Sequence, residues 1–311
     1  MNRREWIKTG AGALLAQPAL GVRAKDAVSP RVIDTHTHFY DPTRAEGVPW
    51  PAKGSKLYRP VLPEDWKKQA APLGIKETVV VEASAWLEDN QWILDLAAKE
   101  SCIVGFVGHI DPPDPNFADN LRRFASNPIF RGVRWGGGLF SAAENEPAML
   151  KGAKLLADLG LELDVNGPAT ALPGIGKLAT SVPDLRIVIN HLGGSGDPKS
   201  LRPEWKENIR AVSRHPNVFM KVSALVEQVK GAEGQAPADT AYYLPILDHL
   251  WECFGEDRVI YGSNWPVSDR GASYEVVFNI VKEYFSSIGS EAAEKYFWKN
   301  SLAAYRWVDR K

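Results

Sequence analysis

Eight short runs rich in β-branched and aromatic residues recur between residues 32 and 264, and each is followed by a longer stretch with helical periodicity. The candidate strands occupy 32–38, 78–83, 103–110, 130–135, 161–166, 187–191, 218–224 and 259–264. The candidate helices occupy 63–73, 88–99, 116–124, 146–159, 172–180, 204–214, 240–254 and 274–285. Strict alternation selects a parallel sheet, because a parallel connection needs a crossover of about a dozen residues, which a helix supplies. Eight such units predict an α/β chain folded as a single (β/α)8 TIM barrel. A chain of 311 residues with 44% hydrophobic content is long enough and apolar enough to bury that core. No internal repeat competes with this reading. The residues from about 286 onward, with Tyr296, Phe297, Trp298, Tyr305 and Trp307, are expected to form a short C-terminal helical tail on the barrel.

A barrel of this kind keeps its chemistry at the carboxyl ends of its strands. The first run reads VIDTHTHF, and alternation along a strand puts Asp34, His36 and His38 on one face. The third candidate strand ends in His109 and Asp111, the fourth carries Arg131 and Arg134, and the fifth presents Glu162, Asp164 and Asn166. The sixth ends in His191, the seventh carries Lys221 and Ser223, and the eighth ends in Asn264. Four of the six histidines fall at strand ends, which favours one convergent site over scattered structural roles. His215, before Pro216, and His249, in an amphipathic helix, have structural explanations.

One divalent ion, zinc above all, suits His36 and His38 with one or two of His191, Asp111 or a strand-five carboxylate, if their ligand atoms converge; the residues leave a metal-free site equally open. His191 leads as general base, since a neutral imidazole is well populated at pH 7. Asp164 and Glu162 follow, because a carboxylate inside a barrel needs a partner or a raised pKa. The competing role for Asp164 is a salt bridge with Lys221 that never touches ligand. The segment after the first strand, 40–60, is long, proline-rich and aromatic, and would overhang the site as a lid carrying Trp50 and Tyr58. Trp86, His109, Trp135 and Trp265 lie close to strand ends and complete the expected substrate-binding set, with packing beneath the rim as the alternative for the tryptophans. The Gly136-Gly137-Gly138 run lacks the lysine and hydroxyl residue of a P-loop.

Formal net charge is −1, from 37 basic and 38 acidic residues, without long runs of one sign. That argues against nucleic acid or a membrane surface as partner and leaves a small molecule. Cys102 and Cys253 are too few for a disulfide framework. Before the barrel, Asn2-Arg3-Arg4-Glu5-Trp6-Ile7-Lys8 and the weakly apolar, Gly- and Ala-rich 9–22 read as a twin-arginine export signal. Residues 1–29 are therefore expected to be signal peptide and linker, 30–311 the barrel, the precursor's partner the twin-arginine export machinery, and the location periplasmic or otherwise exported.

Five motifs in order, VIDTHTHF, FRGVRW, INHLGG, NVFMKVSAL and DRVIYGSNWPVS, resemble amidohydrolase-related family 2, a branch of the metal-dependent TIM-barrel hydrolases. Within it they are most similar to the sugar-lactonase-like group of L-fuconolactonase, L-rhamnonolactonase and 2-pyrone-4,6-dicarboxylate lactonase relatives. The resemblance implies hydrolysis of a cyclic ester, with the family's HxH on His36 and His38, its strand-six histidine on His191 and its strand-four arginine on Arg134. It further implies that Arg134 and Lys221 bind the carbonyl or stabilise the oxyanion. The chain departs from the pattern at GSNWP, where Asn264 stands in place of the family's basic aspartate, and an amide cannot act as general base. That departure keeps open a catalytically silent sugar-acid-binding barrel, beside a metal-dependent decarboxylase or hydratase of the wider family.

Overall fold

A computed structural model describes residues 31–142 and 146–310; the twin-arginine segment and its linker lie outside the described residues. Eight parallel strands pair in chain order: β1 (Ile33–Thr37), β2 (Glu77–Val81), β3 (Ile103–Gly108), β4 (Phe130–Gly136), β5 (Glu162–Asn166), β6 (Arg186–Ile189), β7 (Val218–Val222) and β8 (Val259–Tyr261). The helices between them are α1 (Pro63–Ala70), α2 (Asp89–Lys99), α3 (Phe117–Ala125), α4 (Glu146–Asp158), α5 (Leu172–Ser181), α6 (Pro203–Val212) and α7 (Leu244–Phe254), and α8 (Tyr274–Ile288) follows the last strand. Strands β3 and β7 are buried at every residue, as strands covered by helices outside and side chains inside must be.

The ring closes between β8 and β1. The His38 amide donates to the Trp265 carbonyl at 2.9 Å and the Asn264 amide to the His36 carbonyl at 2.8 Å. Gly262 permits that approach, because a Cβ there would lie 2.8 Å from the His36 Cβ. Strands β6, β7 and β8 stop short of the periodic runs that predict them. The chain there enters a left-handed backbone at His191 (φ 54°), Ala224 (φ 54°) and Asn264 (φ 65°), which breaks the ladder and turns each segment over the barrel mouth. Such conformations cost about 1–3 kcal/mol each in a non-glycine residue and cluster at functional sites.

After α8 the chain forms α9 (Ser290–Glu294), a π turn over Lys295–Lys299 and α10 (Asn300–Tyr305), the expected tail. It seals the amino-terminal end of the barrel. Tyr305 and Trp307 pack with Ile33, Val79, Val104, Val188, Phe219 and Ile260, each apolar side chain so buried stabilising the fold by about 1.5–3 kcal/mol. Arg186 Nε donates to the Ala304 carbonyl at 2.6 Å and the Val308 amide to the Val104 carbonyl at 2.8 Å. With the bottom plugged, the strand carboxyl ends form the open face.

Candidate active site

A cavity of about 550 Å³ opens at that face, of a size suited to a small-molecule ligand. Of the residues singled out from the sequence it is lined by His38, Trp50, Arg134, His191 and Asn264. Asn166, Glu227, Gln228 and Arg270 also line it.

The expected common face of Asp34, His36 and His38 is interrupted by a register irregularity between Asp34 and Thr37. Asp34 turns to α8 and β8, accepting from the Tyr274 hydroxyl at 2.9 Å and the Ser263 amide at 2.8 Å, so it braces the barrel seam rather than the site. The His36 ring lies 5.0 Å from His38 and 4.5 Å from His191, centroid to centroid, with both its nitrogens buried and unpartnered. Burial, with Lys221 and the other imidazoles nearby, holds His36 well below the ordinary imidazole pKa.

His38 Nδ1 lies 2.9 Å from the Val81 carbonyl, which can only accept, so the proton sits on Nδ1. Its Nε2 faces Asn264 Oδ1 at 3.3 Å, and Asn264 Nδ2 donates to Glu227 Oε1 at 2.7 Å. Burial, with Arg134 nearby, pulls His38 down to about 4, and burial pushes the Glu227 carboxyl up to about 7. Ser223 Oγ accepts from the His191 amide at 3.2 Å and lies 2.9 Å from His191 Nδ1. When the hydroxyl donates its proton to Nδ1, the proton of a neutral His191 sits on Nε2. Burial, with Arg134 and Lys221 nearby, keeps His191 well below the ordinary value and hence neutral. In this tautomer His191 Nε2 is a donor, suited to polarising a carbonyl rather than removing a proton.

Arg134 is fixed by Glu82: Nε donates to Oε1 at 2.8 Å and Nη2 to the Glu82 carbonyl at 3.0 Å. Beneath the cavity Lys221 donates to Asp164 Oδ2 at 2.8 Å, and the Tyr305 hydroxyl donates to Asp164 Oδ1 at 2.9 Å. Neither Lys221 nor Asp164 is exposed or lines the cavity, so the internal salt bridge is the arrangement the structure holds.

Five residues expected to bind substrate lie elsewhere. Trp135 points out of the barrel, buried against Phe117 and donating to the Ile110 carbonyl at 3.2 Å, because strand alternation gives the inward position to Arg134. Trp265 is buried at the seam, and Trp86 is 40% exposed outside the cavity. Tyr58 folds into its own loop, its amide donating to the Ser55 carbonyl at 2.9 Å. His109 lines a neighbouring depression between Glu82 (3.8 Å) and Asp111 (3.4 Å). Sequence reasoning missed Glu227 and Arg270, which sit on short turns after β7 and β8, Val226–Gln228 and Val267–Arg270. Their signal lay in the residues just past the NVFMKVSAL and DRVIYGSNWPVS motifs.

The donor set does not fit a divalent ion. Among the described residues no three His, Cys, Asp or Glu side chains are placed to share one. The strand-eight position is an amide, and Lys221 and Arg134 bring positive charge to bear on the imidazoles. His36 keeps both ring nitrogens buried and unpartnered.

The amidohydrolase family matches residues 33–307. An L-fucono-1,5-lactonase of Burkholderia ambifaria is 30% identical over 294 residues, covering 89% of this chain and 96% of the relative. An L-fucono-1,5-lactonase of Burkholderia multivorans is 25% identical over 279 residues, covering 87% and 94%. A crystal structure of a Burkholderia multivorans amidohydrolase with bound zinc shares the fold, with a TM-score of 0.79 at 24% identity over 89% of this chain and 99% of that one.

Proposed function

The chain belongs to the amidohydrolase family, and from that premise we propose that it opens a sugar-acid lactone by water attack on a polarised carbonyl. It is a hydrolase of ester bonds by its relatives; the aldonolactone substrate and the mechanism are the reading put forward here. The observation that carries it is the convergence of Arg134, neutral His191 and His38 on one cavity walled by Trp50. A fixed guanidinium and an Nε2–H donor are the groups that stabilise an oxyanion at a carbonyl. Trp50, 6.0 Å from His38 between ring centroids, offers an aromatic face for a sugar ring. The donor set supports a route in which protein groups alone polarise the carbonyl.

The test is proton release on a panel of aldonolactones by protein lacking residues 1–29, with metal content measured on the same sample. Turnover that persists after chelation is the expected result. Release of carbon dioxide from a carboxylated substrate would instead favour the decarboxylase branch, and binding without turnover a silent barrel.

A further inference from the structure

Hydrolysis needs a group to take a proton from water, and on strand eight the chain offers only the amide of Asn264. The buried carboxylates divide by whether their oxygens are satisfied. Asp34 and Asp164 have both oxygens hydrogen-bonded and serve as braces. Glu162 has neither oxygen partnered, but it lies at the start of β5, away from the cavity, and burial holds it protonated. Glu227 differs from all three. It lines the cavity, its Oε1 is held by Asn264, and its Oε2 is buried with no partner. An unpaired carboxylate oxygen in such a place is costly unless it serves a reaction or a ligand.

The turn carrying Glu227 is positioned with care. Gly271, just after the Val267–Arg270 turn, packs so close that a Cβ there would lie 2.8 Å from Val226 Cγ2 and 3.0 Å from the Val226 backbone. The two turns thereby bring Glu227 and Asn264 within 2.7 Å of each other. Asn264 Nδ2 donates to Glu227 Oε1, and that bond holds the carboxylate beside the position of the family's aspartate.

Resting on the lactonase reading above, we propose that Glu227 is the general base, with Asn264 as its positioning residue. The water oxygen bonds to the carbonyl carbon while one of its protons passes to Glu227 Oε2, and the carbonyl π electrons become an oxyanion stabilised by Arg134. On collapse the bond from that carbon to the ring oxygen breaks, and the ring oxygen keeps the electron pair. It takes the proton back from Glu227, so the carboxylate is regenerated. The product is a hydroxy acid whose carboxyl group releases one proton to solvent, the proton that the assay counts. The charged and titratable neighbours of Glu227 are Arg270 and Asp269 on the following turn and Tyr243 before α7. A base held at about 7 is poised for proton transfer near neutrality.

The experiment compares wild type, Glu227→Gln and Glu227→Asp on the best aldonolactone, with thermal melting to establish folding. Wild-type kcat/KM should fall on the acid side with a midpoint near pH 7. Glu227→Gln should lose about 100-fold or more in kcat with KM little changed, and lose the acid limb with it. Glu227→Asp, which keeps a carboxylate, should recover part of the rate and retain the limb. A Glu227→Gln enzyme within about threefold of wild-type kcat, or a wild-type acid limb set well below pH 6 by the buried histidines, overturns the assignment while the lactonase reading stands. Wild type inert on every lactone overturns both.

Discussion

Lys221 Nζ lies 2.8 Å from Asp164 Oδ2 with both side chains wholly buried, and the pair hangs between the cavity floor and the C-terminal plug. Asn190 Nδ2 at 3.1 Å and the Tyr305 hydroxyl at 2.9 Å complete the carboxylate's partners. Burial, with Arg134 nearby, pulls Lys221 below its ordinary value, and Asp164 and Glu162 oppose that. Removing one partner strands a charge without water. Asp164→Ala should therefore cost about 3–5 kcal/mol, whereas a double replacement by Leu and Met should cost less than that single change. Urea denaturation of the set decides it, and a purely additive cycle would contradict the coupling.

His38 makes stability depend on pH. Its folded value of about 4 lies below the ordinary 6.5, so below about 6.5 the unfolded chain binds more protons and stability falls as pH falls. The full loss, reached near pH 4, is about 3 kcal/mol. Glu227 has the opposite sign: its raised carboxyl favours the fold at low pH and loses that contribution as pH rises through about 7. Isolating His38 therefore takes a variant. His38→Gln, which keeps a donor for the Val81 carbonyl, should lose about 3 kcal/mol less than wild type between about pH 7 and pH 4. Denaturation curves measured at several pH values check this, and parallel pH profiles for the two proteins would count against it.

Arg134 is held by Glu82 through two of its nitrogens, so its charge is aimed as well as present. Arg134→Lys keeps the charge and loses the planar fork. For the proposed hydrolysis that change should cost about 100-fold or more in kcat. Glu82→Gln, which leaves the guanidinium but loosens its tether, should cost less. Steady-state kinetics on the same lactone separates them; a change confined to KM would assign Arg134 to ground-state binding only.

The barrel was legible because its strands and helices are long, periodic and alternating, and their burial follows that period. The site was legible where a side chain sits on an inward strand position, as with Arg134. It was illegible where the backbone leaves the strand. The register irregularity in β1 parts Asp34 from His36 and His38, and no alternation rule anticipates it. Glu227 and Arg270 reach the cavity from turns past the strand ends, and their position depends on the approach of Gly271 to Val226. Trp135 and Arg134 are neighbours in sequence, so strand geometry can give only one of them to the interior.

The N-terminal segment gives the last prediction, because the described barrel is anchored just after it. Arg31 donates from Nε to Glu77 at 2.7 Å and from Nη1 to Asp309 at 3.2 Å, joining the start of the barrel to β2 and the end of the tail. A chain beginning at residue 30 keeps these bonds and all of β1, so it should melt with the full-length protein and match its lactone turnover. Beginning at residue 32 removes the Arg31 links, which are partly exposed, and should cost no more than about 1 kcal/mol. If residues 1–29 are the export signal, Arg3→Lys with Arg4→Lys should hold the full-length protein in the cytoplasm without altering its stability. Fractionation of cells expressing each form reads the outcome, and unchanged export of the double variant would remove the twin-arginine assignment while leaving the barrel's chemistry untouched.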